Sequence, residues 1–223
     1  MIRRLMLFGS ILILLSFTTF AQAQTYRHVT SIKCGLSSEM MTDFKIDYHY
    51  LFCRHIGLGG GIFLNSEFGQ VTMPHGDISS AGHSISWNSE TKVTNPGFSL
   101  SAIGQIDLFK VKERLVTLEF EPSWLLTIPR ESQILNCQDI HSGELSSARV
   151  KASGGQWSAW LLRVGMSYCI GEHFAIGFSY NITNLDSFST ARRLEYGGTV
   201  FNKFYPDNKP VVHSADLGLR VFF

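Results

Sequence analysis

The sequence predicts an all-β chain, namely an eight-stranded, antiparallel, up-and-down transmembrane β-barrel that follows an N-terminal signal peptide. Three observations predict this class. Apolar and polar residues alternate along segments of roughly nine to eleven residues, the length at which a tilted strand crosses a bilayer. The connections between these segments are alternately short and long. Glycine and phenylalanine are abundant, at 20 and 17 residues, while charged residues make up only 17% of the chain.

Residues 1–23 are predicted to be a cleaved signal peptide. Arg3 and Arg4 give it a basic start, and residues 5–17 are apolar apart from glycine and serine. Residues 21–23 read Ala-Gln-Ala, which places small residues at the two positions that a signal peptidase recognises. An uncleaved membrane helix is disfavoured because the apolar stretch is shorter than the roughly 20 residues that a span requires.

The mature chain, residues 24–223, is predicted to be one outer-membrane β-barrel domain. Removal of the signal peptide takes two arginines from the 19 basic residues, so 17 remain against 18 acidic residues. The mature protein therefore lacks the strong positive field that nucleic-acid binding requires, and no nucleic-acid partner is expected.

The first three predicted strands cover residues 26–36, 44–52 and 56–64. Strand 26–36 alternates poorly and is assigned because a closed barrel needs a first strand. In strand 44–52, aromatic and aliphatic residues oppose polar ones that include Lys45 and Asp47. In strand 56–64 the apolar residues oppose glycines, which make room for bulky neighbours inside a barrel.

Two longer strands follow at residues 98–108 and 116–126, and both alternate clearly. The polar face of the second strand carries Glu119 and Glu121. Pro122 lies on its apolar face, although proline offers no N–H to a strand ladder. The proline is the one departure from an otherwise regular pattern.

The last three strands are predicted at residues 160–170, 174–182 and 214–223. Each has an apolar residue at every second position, and Arg163 and Arg220 lie on the opposite faces. Only helices and closed barrels satisfy their backbone polar groups in lipid, so strands of this length that enter a membrane must close on one another.

The connections divide into two classes by length. Short turns are predicted at residues 53–55, 110–114 and 171–173, long loops at 65–97, 127–156 and 186–212, and an intermediate connection at 37–43. With both termini in the periplasm, the long loops are expected on the outside of the cell.

The serious alternative is a soluble barrel with its apolar face inward. The aromatic residues favour the membrane, because those on the apolar faces fall at two levels, as interfacial girdles do. The predicted girdle residues are Phe44, Phe52, Phe98, Trp124, Trp160, Tyr168, Phe174, Tyr180 and Phe223.

The opposite faces of the strands carry charges of both signs. An eight-stranded barrel is just filled by side chains, so inward charges must be paired there. We therefore predict an ion-pair network that plugs the lumen, built from Lys33, Lys45, Asp47, Asp107, Glu119, Glu121, Arg163, Asp216 and Arg220.

Residues 217–223 end the chain on an aromatic carboxyl terminus with an apolar residue at every second position. This ending resembles the signal read by the barrel-assembly machinery. Together with the signal peptide and the alternating connections, it resembles the outer-membrane β-barrel domain family, of the OmpA/OmpX-like and PorT-type small barrels. The resemblance implies a monomer in the outer membrane of a Gram-negative bacterium, in contact with lipid and lipopolysaccharide and inserted by that machinery.

The function that this resemblance implies is structural or interaction-based. The long loops are expected to serve adhesion, envelope integrity or an envelope or secretion assembly, with a surface protein or glycan as partner. The alternatives are a narrow porin or transport channel and a lipid A-modifying barrel enzyme. No cofactor is expected.

No catalytic residues are assigned. Residues 83–88 loosely resemble the site of lipid A deacylase barrels, but Trp87 stands where an asparagine should follow Ser86. His49 with Asp47 and Glu119 forms a second hypothetical acid–base group, for which structural ion pairing is the simpler interpretation.

The eight histidines show no metal-binding spacing and the four cysteines contain no CxxC motif, so no metal site or disulfide is assigned. The loop at residues 186–212 mixes aromatic and basic residues, among them Arg192, Arg193 and Lys203. It is a candidate surface for glycans, a partner protein or lipopolysaccharide phosphates, with a merely solvated loop as the alternative.

Overall fold

The protein was analysed as a computed structural model that describes residues 26–69, 75–80, 83–89, 91–112 and 114–223. The predicted signal peptide lies outside the described residues. Eight strands form the barrel: β1 (His28–Ser37), β2 (Met41–Cys53), β3 (Ile56–Glu67), β6 (Thr94–Val111), β7 (Arg114–Thr127), β10 (Ser158–Cys169), β11 (Phe174–Thr183) and β14 (Val212–Phe222).

The remaining strands lie in the long connections and are β4 (His75–Ser80), β5 (His83–Ser89), β8 (Arg130–Asp139), β9 (Leu145–Ser153), β12 (Glu195–Tyr196) and β13 (Thr199–Val200). Two short 3₁₀ helices, η1 (Ala191–Arg193) and η2 (Phe201–Phe204), complete the described elements. No helix in the described part of the chain is long and apolar enough to cross a membrane.

The barrel closes in the order β1-β14-β11-β10-β7-β6-β3-β2, and every neighbouring pair of strands is antiparallel. The seam between β1 and β14 is held to its end, where His28 N–H donates to the Phe223 carbonyl at 2.9 Å and Phe223 N–H donates to the His28 carbonyl at 3.0 Å. Closure leaves the barrel without a free strand edge. The predicted eight-stranded antiparallel barrel is confirmed, including the first strand that alternates poorly in sequence.

Pro122 marks an interruption in the pairing of β6 with β7. The register runs through Ser101↔Ser123 and resumes at Gly104↔Phe120, so the ladder skips the proline. On its other side, Pro122 faces Leu162 of β10 in an unbroken register. The strand tolerates the proline because only one of its two neighbours loses a ladder bond there.

The outer surface of the barrel is an apolar belt. The outward positions of all eight strands expose large aliphatic or aromatic side chains, and Leu217 in the middle of β14 is 65% exposed. The inward positions are instead polar and buried, as Lys33, Asp47, Glu121 and Arg163 show. An apolar exterior around a charged interior is the arrangement of a barrel that spans a bilayer, and it excludes a soluble barrel with an apolar core.

Glycines in β3 make room inside the barrel. A Cβ on Gly59 would lie 2.7 Å from the His49 ring, and a Cβ on Gly61 would lie 2.7 Å from an Asp47 carboxylate oxygen. The glycine face of β3 therefore allows two large polar side chains of β2 to fill the lumen.

The long loops predicted at residues 65–97, 127–156 and 186–212 contain secondary structure in their described parts. Strands β4, β5, β8 and β9 form a separate four-stranded sheet in the order β4-β5-β8-β9, and β12 pairs with β13. The two 3₁₀ helices pack beside them, and we call this folded unit at the long-loop end of the barrel the cap. Strand β8 follows β7 after only two residues, so one barrel wall continues directly into the cap.

The cap has its own apolar core. The Trp87 and Phe201 rings stack with centroids 4.5 Å apart, and Phe188 stacks on Tyr205 at 5.8 Å. The buried residues of this core are Met41, Trp87, Val93, Leu135, Cys137, Val150, Phe188, Ala191, Leu194, Phe201 and Tyr205. Burial of this many apolar side chains explains why the long connections fold instead of remaining solvated.

Candidate functional site

The centre of the lumen is filled by charged side chains from five different strands. The Glu121 carboxylate forms ion pairs with Lys33 Nζ at 2.7 Å, Lys45 Nζ at 3.0 Å and Arg163 Nη1 at 2.8 Å. The whole cluster, which we call the central network, consists of Lys33, Lys45, Asp47, Glu121, Arg163 and Asp216. Its three cations and three anions balance one another, as charges in a closed interior must.

Strand register explains how the central network assembles. Lys33 and Lys45 lie directly opposite each other on β1 and β2, where two like charges would repel. Both lysines also contact Asp47, at 3.0 Å each, so the carboxylates of Asp47 and Glu121 lie between the ammonium groups. Arg163 and Glu121 are cross-strand partners on β10 and β7. The network therefore links strands on opposite walls of the barrel.

The other three predicted network residues lie nearer the short-turn end. Arg220 pairs with Glu119 in the buried lumen. Asp107 instead pairs with Arg54, and both side chains are partly exposed, at 28% and 37%. The structure thus places Asp107 at the barrel mouth, apart from the central network, and adds Arg54 from a predicted turn. The alternation along the strand predicts that Asp107 points inward, but it does not predict how deep in the lumen the side chain lies.

His49 does not form the hypothetical acid–base group with Asp47 and Glu119. Its Nε2 shares a hydrogen bond of 2.8 Å with Ser101 Oγ, and its side chain is fully buried. No hydrogen bond joins His49 to either carboxylate in the described structure. The arrangement is that of a packed interior histidine.

Beside the central network lies a small cavity of about 40 Å³, which we call the chamber. Asp43 lines the chamber and accepts a hydrogen bond from Asn65 Nδ2 at 2.6 Å. Asn95 donates to Asn65 Oδ1 at 3.3 Å and to the Ser187 carbonyl at 2.8 Å, which connects the chamber to the cap. The sequence gave no sign of these roles because Asn65 and Asn95 fall in a segment predicted to be loop.

The aromatic residues of segment 186–212 do not form the predicted binding surface. Phe201 and Tyr205 are buried in the cap core, and Phe204 and Tyr196 pack against that core. Tyr205 Oη accepts a hydrogen bond from Gln133 Nε2 at 2.5 Å. The aromatic side chains of the segment therefore hold the cap together.

Burial and hydrogen bonding shift the pKa values of titratable groups in the cap. Burial raises the pKa of Glu131 to about 7, against the opposing effect of hydrogen bonds from the backbone of Thr94 and Ser132. The hydrogen bond to Cys137 raises the pKa of Tyr196 to about 12. Neither group lies beside a nucleophile and a base in a catalytic arrangement.

A polar groove of about 570 Å³ opens at the side of the cap near the barrel rim. Arg192 is held inside it by Asp186 and by the Pro206 carbonyl. Arg193, Asn202 and Asn208 line the same groove with exposed side chains. We call this feature the cap groove, and its unpaired guanidinium and amide groups suit an anionic, polyhydroxylated ligand.

All nine predicted girdle residues are exposed on the outer surface. Phe52, Phe174 and Phe223 lie at the ends of strands near the short turns. At the long-loop end, Trp124 and Trp160 are cross-strand partners on β7 and β10. Two tyrosines of the outer surface also bond to histidines, Tyr48 to His28 at 2.6 Å and Tyr180 to His213 at 2.7 Å.

The loose resemblance to a deacylase site gains no support from the position of its residues. Residues 83–89 form strand β5 of the cap sheet, not a loop, and Trp87 is buried in the cap core. Ser86 is exposed beside it. The side chain of His83 lies outside the described residues.

All four cysteines are free thiols, including Cys53 and Cys169 near the short-turn end. Among the described residues, no three His, Cys, Asp or Glu side chains gather as ligands for a metal ion.

No protein-family model matches the chain, and no curated protein matches it. Solved structures do resemble it. They include the N-terminal β-barrel domain of OprF from Pseudomonas aeruginosa (12% identity, TM-score 0.42, 90% of this chain and 100% of that chain) and Neisserial surface protein A (12%, 0.40, 88% and 94%). CarO from Acinetobacter baumannii is a third (11%, 0.40, 91% and 100%). The likeness concerns the fold alone.

Proposed function

We propose that this protein is an outer-membrane anchor whose barrel presents the cap as a binding surface outside the cell. The observation that supports this most directly is that the long connections fold into a cap with its own buried core, above a lumen filled by ion pairs. A barrel that served only as a pore would need an open lumen, and a purely structural barrel would need no cap.

The central network argues against the alternative of a narrow porin. Its charges are almost fully buried and bridge strands on opposite walls. Moving a solute past them would require the pairs to separate within a lumen that side chains already fill. The enzyme alternative has still less support, since the serine that lies beside an imidazole, Ser101 next to His49, is buried with it in the filled lumen.

The cap groove is the proposed ligand contact. It is large enough for one or two sugar residues, because ligand pockets typically measure about 300–1,000 Å³. Arg193 supplies a guanidinium for a phosphate, sulfate or carboxylate group, while Asn202 and Asn208 supply amides for hydroxyl groups. The ligand class is therefore an acidic glycan, including the phosphorylated sugars of lipopolysaccharide.

The test compares the wild-type protein with one arginine variant and one lysine variant, each as the full chain in lipid nanodiscs. Fluorescent dextran sulfate and neutral dextran are the probes, and binding is measured by anisotropy. Arg193→Ala is expected to weaken dextran sulfate binding about tenfold through loss of a charge-assisted hydrogen bond. Lys203→Ala is the matched control, since Lys203 is also an exposed cation of the same segment but does not line the groove.

Equal losses in the two variants would show only general charge attraction and would overturn the assignment of the groove. Failure of the wild-type protein to bind either dextran, together with protease resistance of the cap on intact cells, would contradict the binding role as a whole. Membrane fractionation with heat-modifiable gel mobility tests the outer-membrane location independently of any ligand.

A further inference from the structure

The outer surface of the barrel continues without a break into the cap sheet. Every second residue of β7 faces outward, as exposed Phe120 and Trp124 show, and this alternation persists along β8, where exposed Ile134 lies between two buried neighbours. Only two residues separate the strands, and the first of them, Ile128, is 42% exposed. One wall of the molecule therefore runs from the apolar belt to the outward face of the cap sheet.

Aromatic rings mark the cap-end limit of the apolar belt on this wall. Trp124 and Trp160 are cross-strand partners there. Trp157 is 63% exposed, and its carbonyl accepts a hydrogen bond from the Thr127 N–H at 3.0 Å, which fixes it beside β7. Tryptophan rings on a membrane protein prefer the headgroup level of the bilayer. The residues directly beyond Ile128 therefore face lipid headgroups.

Exposed cations follow immediately beyond these rings. They come from three neighbouring segments, namely the residues before β6, strand β8 and strand β9. We call them the basic band, which consists of Lys92, Arg130, Arg149 and Lys151. Arg130 follows Ile128 by two residues, which is about 7 Å along a strand. The headgroup layer on each side of a bilayer is roughly 5–8 Å thick, so the band begins at headgroup depth.

Strand pairing holds the cations of the band side by side. Arg130 and Lys151 are diagonal neighbours on β8 and β9, at a separation of roughly 7–8 Å. On the other side of β8, the Ile134 N–H donates to Thr91 Oγ1 at 3.1 Å, which brings Lys92 alongside that strand. Three adjacent segments at the usual strand spacing make the band roughly 10 Å wide.

The band has no acidic partner in the described part of the chain. No described carboxylate forms an ion pair with any of its four members. Glu131 is buried on the inward face of β8. Asp139 and Glu144 lie at the tip of the β8–β9 hairpin, away from the barrel, where the Asp139 N–H donates to the Glu144 carbonyl at 3.0 Å. The outward face at the base of the cap is therefore complementary to an anionic partner.

We propose that the basic band binds the phosphates of a diphosphorylated glycolipid of the lipid A class, whose acyl chains lie against the belt. The wall presents apolar surface, aromatic rings and cations in the order in which a lipid presents its chains and its headgroup, which favours a membrane lipid over a soluble ligand. A width of roughly 10 Å suits two phosphates better than the single phosphate of a phospholipid. Arginine binds a phosphate through two parallel N–H groups, and lysine adds a point charge.

This inference rests on the proposed placement of the cap outside the cell, where the leaflet contains lipopolysaccharide. It does not depend on the cap groove, because no member of the basic band lines that groove.

Native mass spectrometry of the full chain in detergent measures the binding. The wild-type protein is expected to bind diphosphoryl lipid A about tenfold more tightly than monophosphoryl lipid A or phosphatidylglycerol. The double variant Arg130→Gln/Lys151→Gln should bind diphosphoryl lipid A about tenfold more weakly than the wild type. Lys203→Gln/Lys209→Gln is the matched control, since it removes two exposed cations from the segment that packs against the opposite face of the cap sheet.

Equal losses in the two double variants would overturn the proposal, because they would show only general charge attraction. Equal affinity for phosphatidylglycerol would overturn the assignment to a glycolipid. Equal affinity for the water-soluble phosphorylated disaccharide, freed of its acyl chains, would overturn the assignment to a membrane lipid. None of these results bears on dextran sulfate binding by the cap groove or on protease access to the cap on intact cells, so failure of either proposal is recognised separately.

A second experiment needs no variant. The wild-type protein is acetylated at its amines in nanodiscs of phosphatidylcholine with and without diphosphoryl lipid A, and peptide mass spectrometry measures the rate at each lysine. Lys92 and Lys151 are expected to react several times more slowly when lipid A is present, whereas Lys203 and Lys209 should react at unchanged rates. Equal rates with and without lipid A at all four lysines would show that the band does not contact the lipid and would contradict the proposal, whether or not the double variants fold.

Discussion

Glu121 is the residue on which three lumenal cations converge, with distances of 2.7–3.0 Å to Lys33, Lys45 and Arg163. Glu121→Gln keeps the shape of the side chain but leaves these cations with too few anions in a closed lumen. We expect it to lower the free energy of unfolding by about 3 kcal/mol or more. Urea titration of the detergent-folded barrel measures the change.

The matched control for Glu121 is Glu144→Gln. Glu144 is exposed at the tip of the cap, so its loss should change stability by less than about 0.5 kcal/mol. Equal stabilities of the two variants would mean that the lumenal charges are hydrated and contribute little to the fold.

Glu131 makes the cap sensitive to pH. Burial raises its pKa to about 7 from 4.5, so the folded cap keeps the proton that the unfolded segment releases at lower pH. The stabilisation is complete below about pH 4.5 and is lost as the pH rises through about 7. Limited proteolysis of the cap should therefore be faster at about pH 8 than at about pH 5.

Glu131→Gln provides the control for this pH dependence. The amide is neutral at every pH, so the cap of the variant should resist proteolysis equally at both values. A pH dependence that persists in the variant would assign the effect to another group.

At the scale of the single strand, the lipid-facing surface can be tested on β14. Leu217 lies midway along the outer face of this strand and is 65% exposed. Leu217→Lys should destabilise the barrel in lipid vesicles by about 2–4 kcal/mol, because the charge would enter hydrocarbon near the midplane.

Leu145→Lys is the control for Leu217. Leu145 is even more exposed, at 78%, but it lies on the cap strand β9, outside the apolar belt. Its replacement should leave stability nearly unchanged. If both lysine variants are tolerated equally, the belt does not contact lipid.

The cap elements depend on their buried aromatic residues. Trp87 of β5 stacks on Phe201 of η2 and thus joins the cap sheet to the segment of the 3₁₀ helices. Trp87→Ala should cost the cap about 3–5 kcal/mol, enough to unfold it while the barrel stays closed. The expected result is rapid proteolysis of the cap with unchanged heat-modifiable mobility of the barrel.

Trp157→Ala serves as the companion variant, because Trp157 is exposed and lies outside the cap core. Its cap should remain resistant to protease. Loss of barrel folding in Trp87→Ala would show instead that cap and barrel form one cooperative unit.

For the whole molecule, the charged lumen predicts a closed barrel. Purified protein in planar bilayers should show no stable single-channel current, since side chains fill an eight-stranded lumen and the ion pairs bridge its walls. Discrete, reproducible openings of the wild-type protein would favour the porin alternative over the binding role.

The central network shows how far prediction from the sequence extends. Alternation with period two fixed which side chains point inward, so Lys33, Glu121 and Arg163 were recognisable as lumenal residues. It did not fix their partners or their depth. Asp107 pairs with Arg54 at the barrel mouth instead. The stagger of neighbouring strands sets how deep a side chain lies in the lumen, and the sequence of one strand does not show that stagger.

The cap shows where prediction failed. Strand β8 buries Glu131, Gln133, Leu135 and Cys137 on one face. Two of these four are polar, so the segment lacks the apolar alternation that identifies a half-buried strand. Its partners come from three separate connections, and none of them is apolar enough by itself to predict a core.

The sequence by itself determined the barrel, because each membrane strand must show lipid an unbroken apolar face and that requirement is written locally, in every second residue. Only the tertiary structure decided the cap, the chamber and the pairing of charges. These features join residues far apart in the chain, such as Asp43 with Ser214 and Trp87 with Phe201, and their stability arises from burial that exists only once the barrel has brought the connections together.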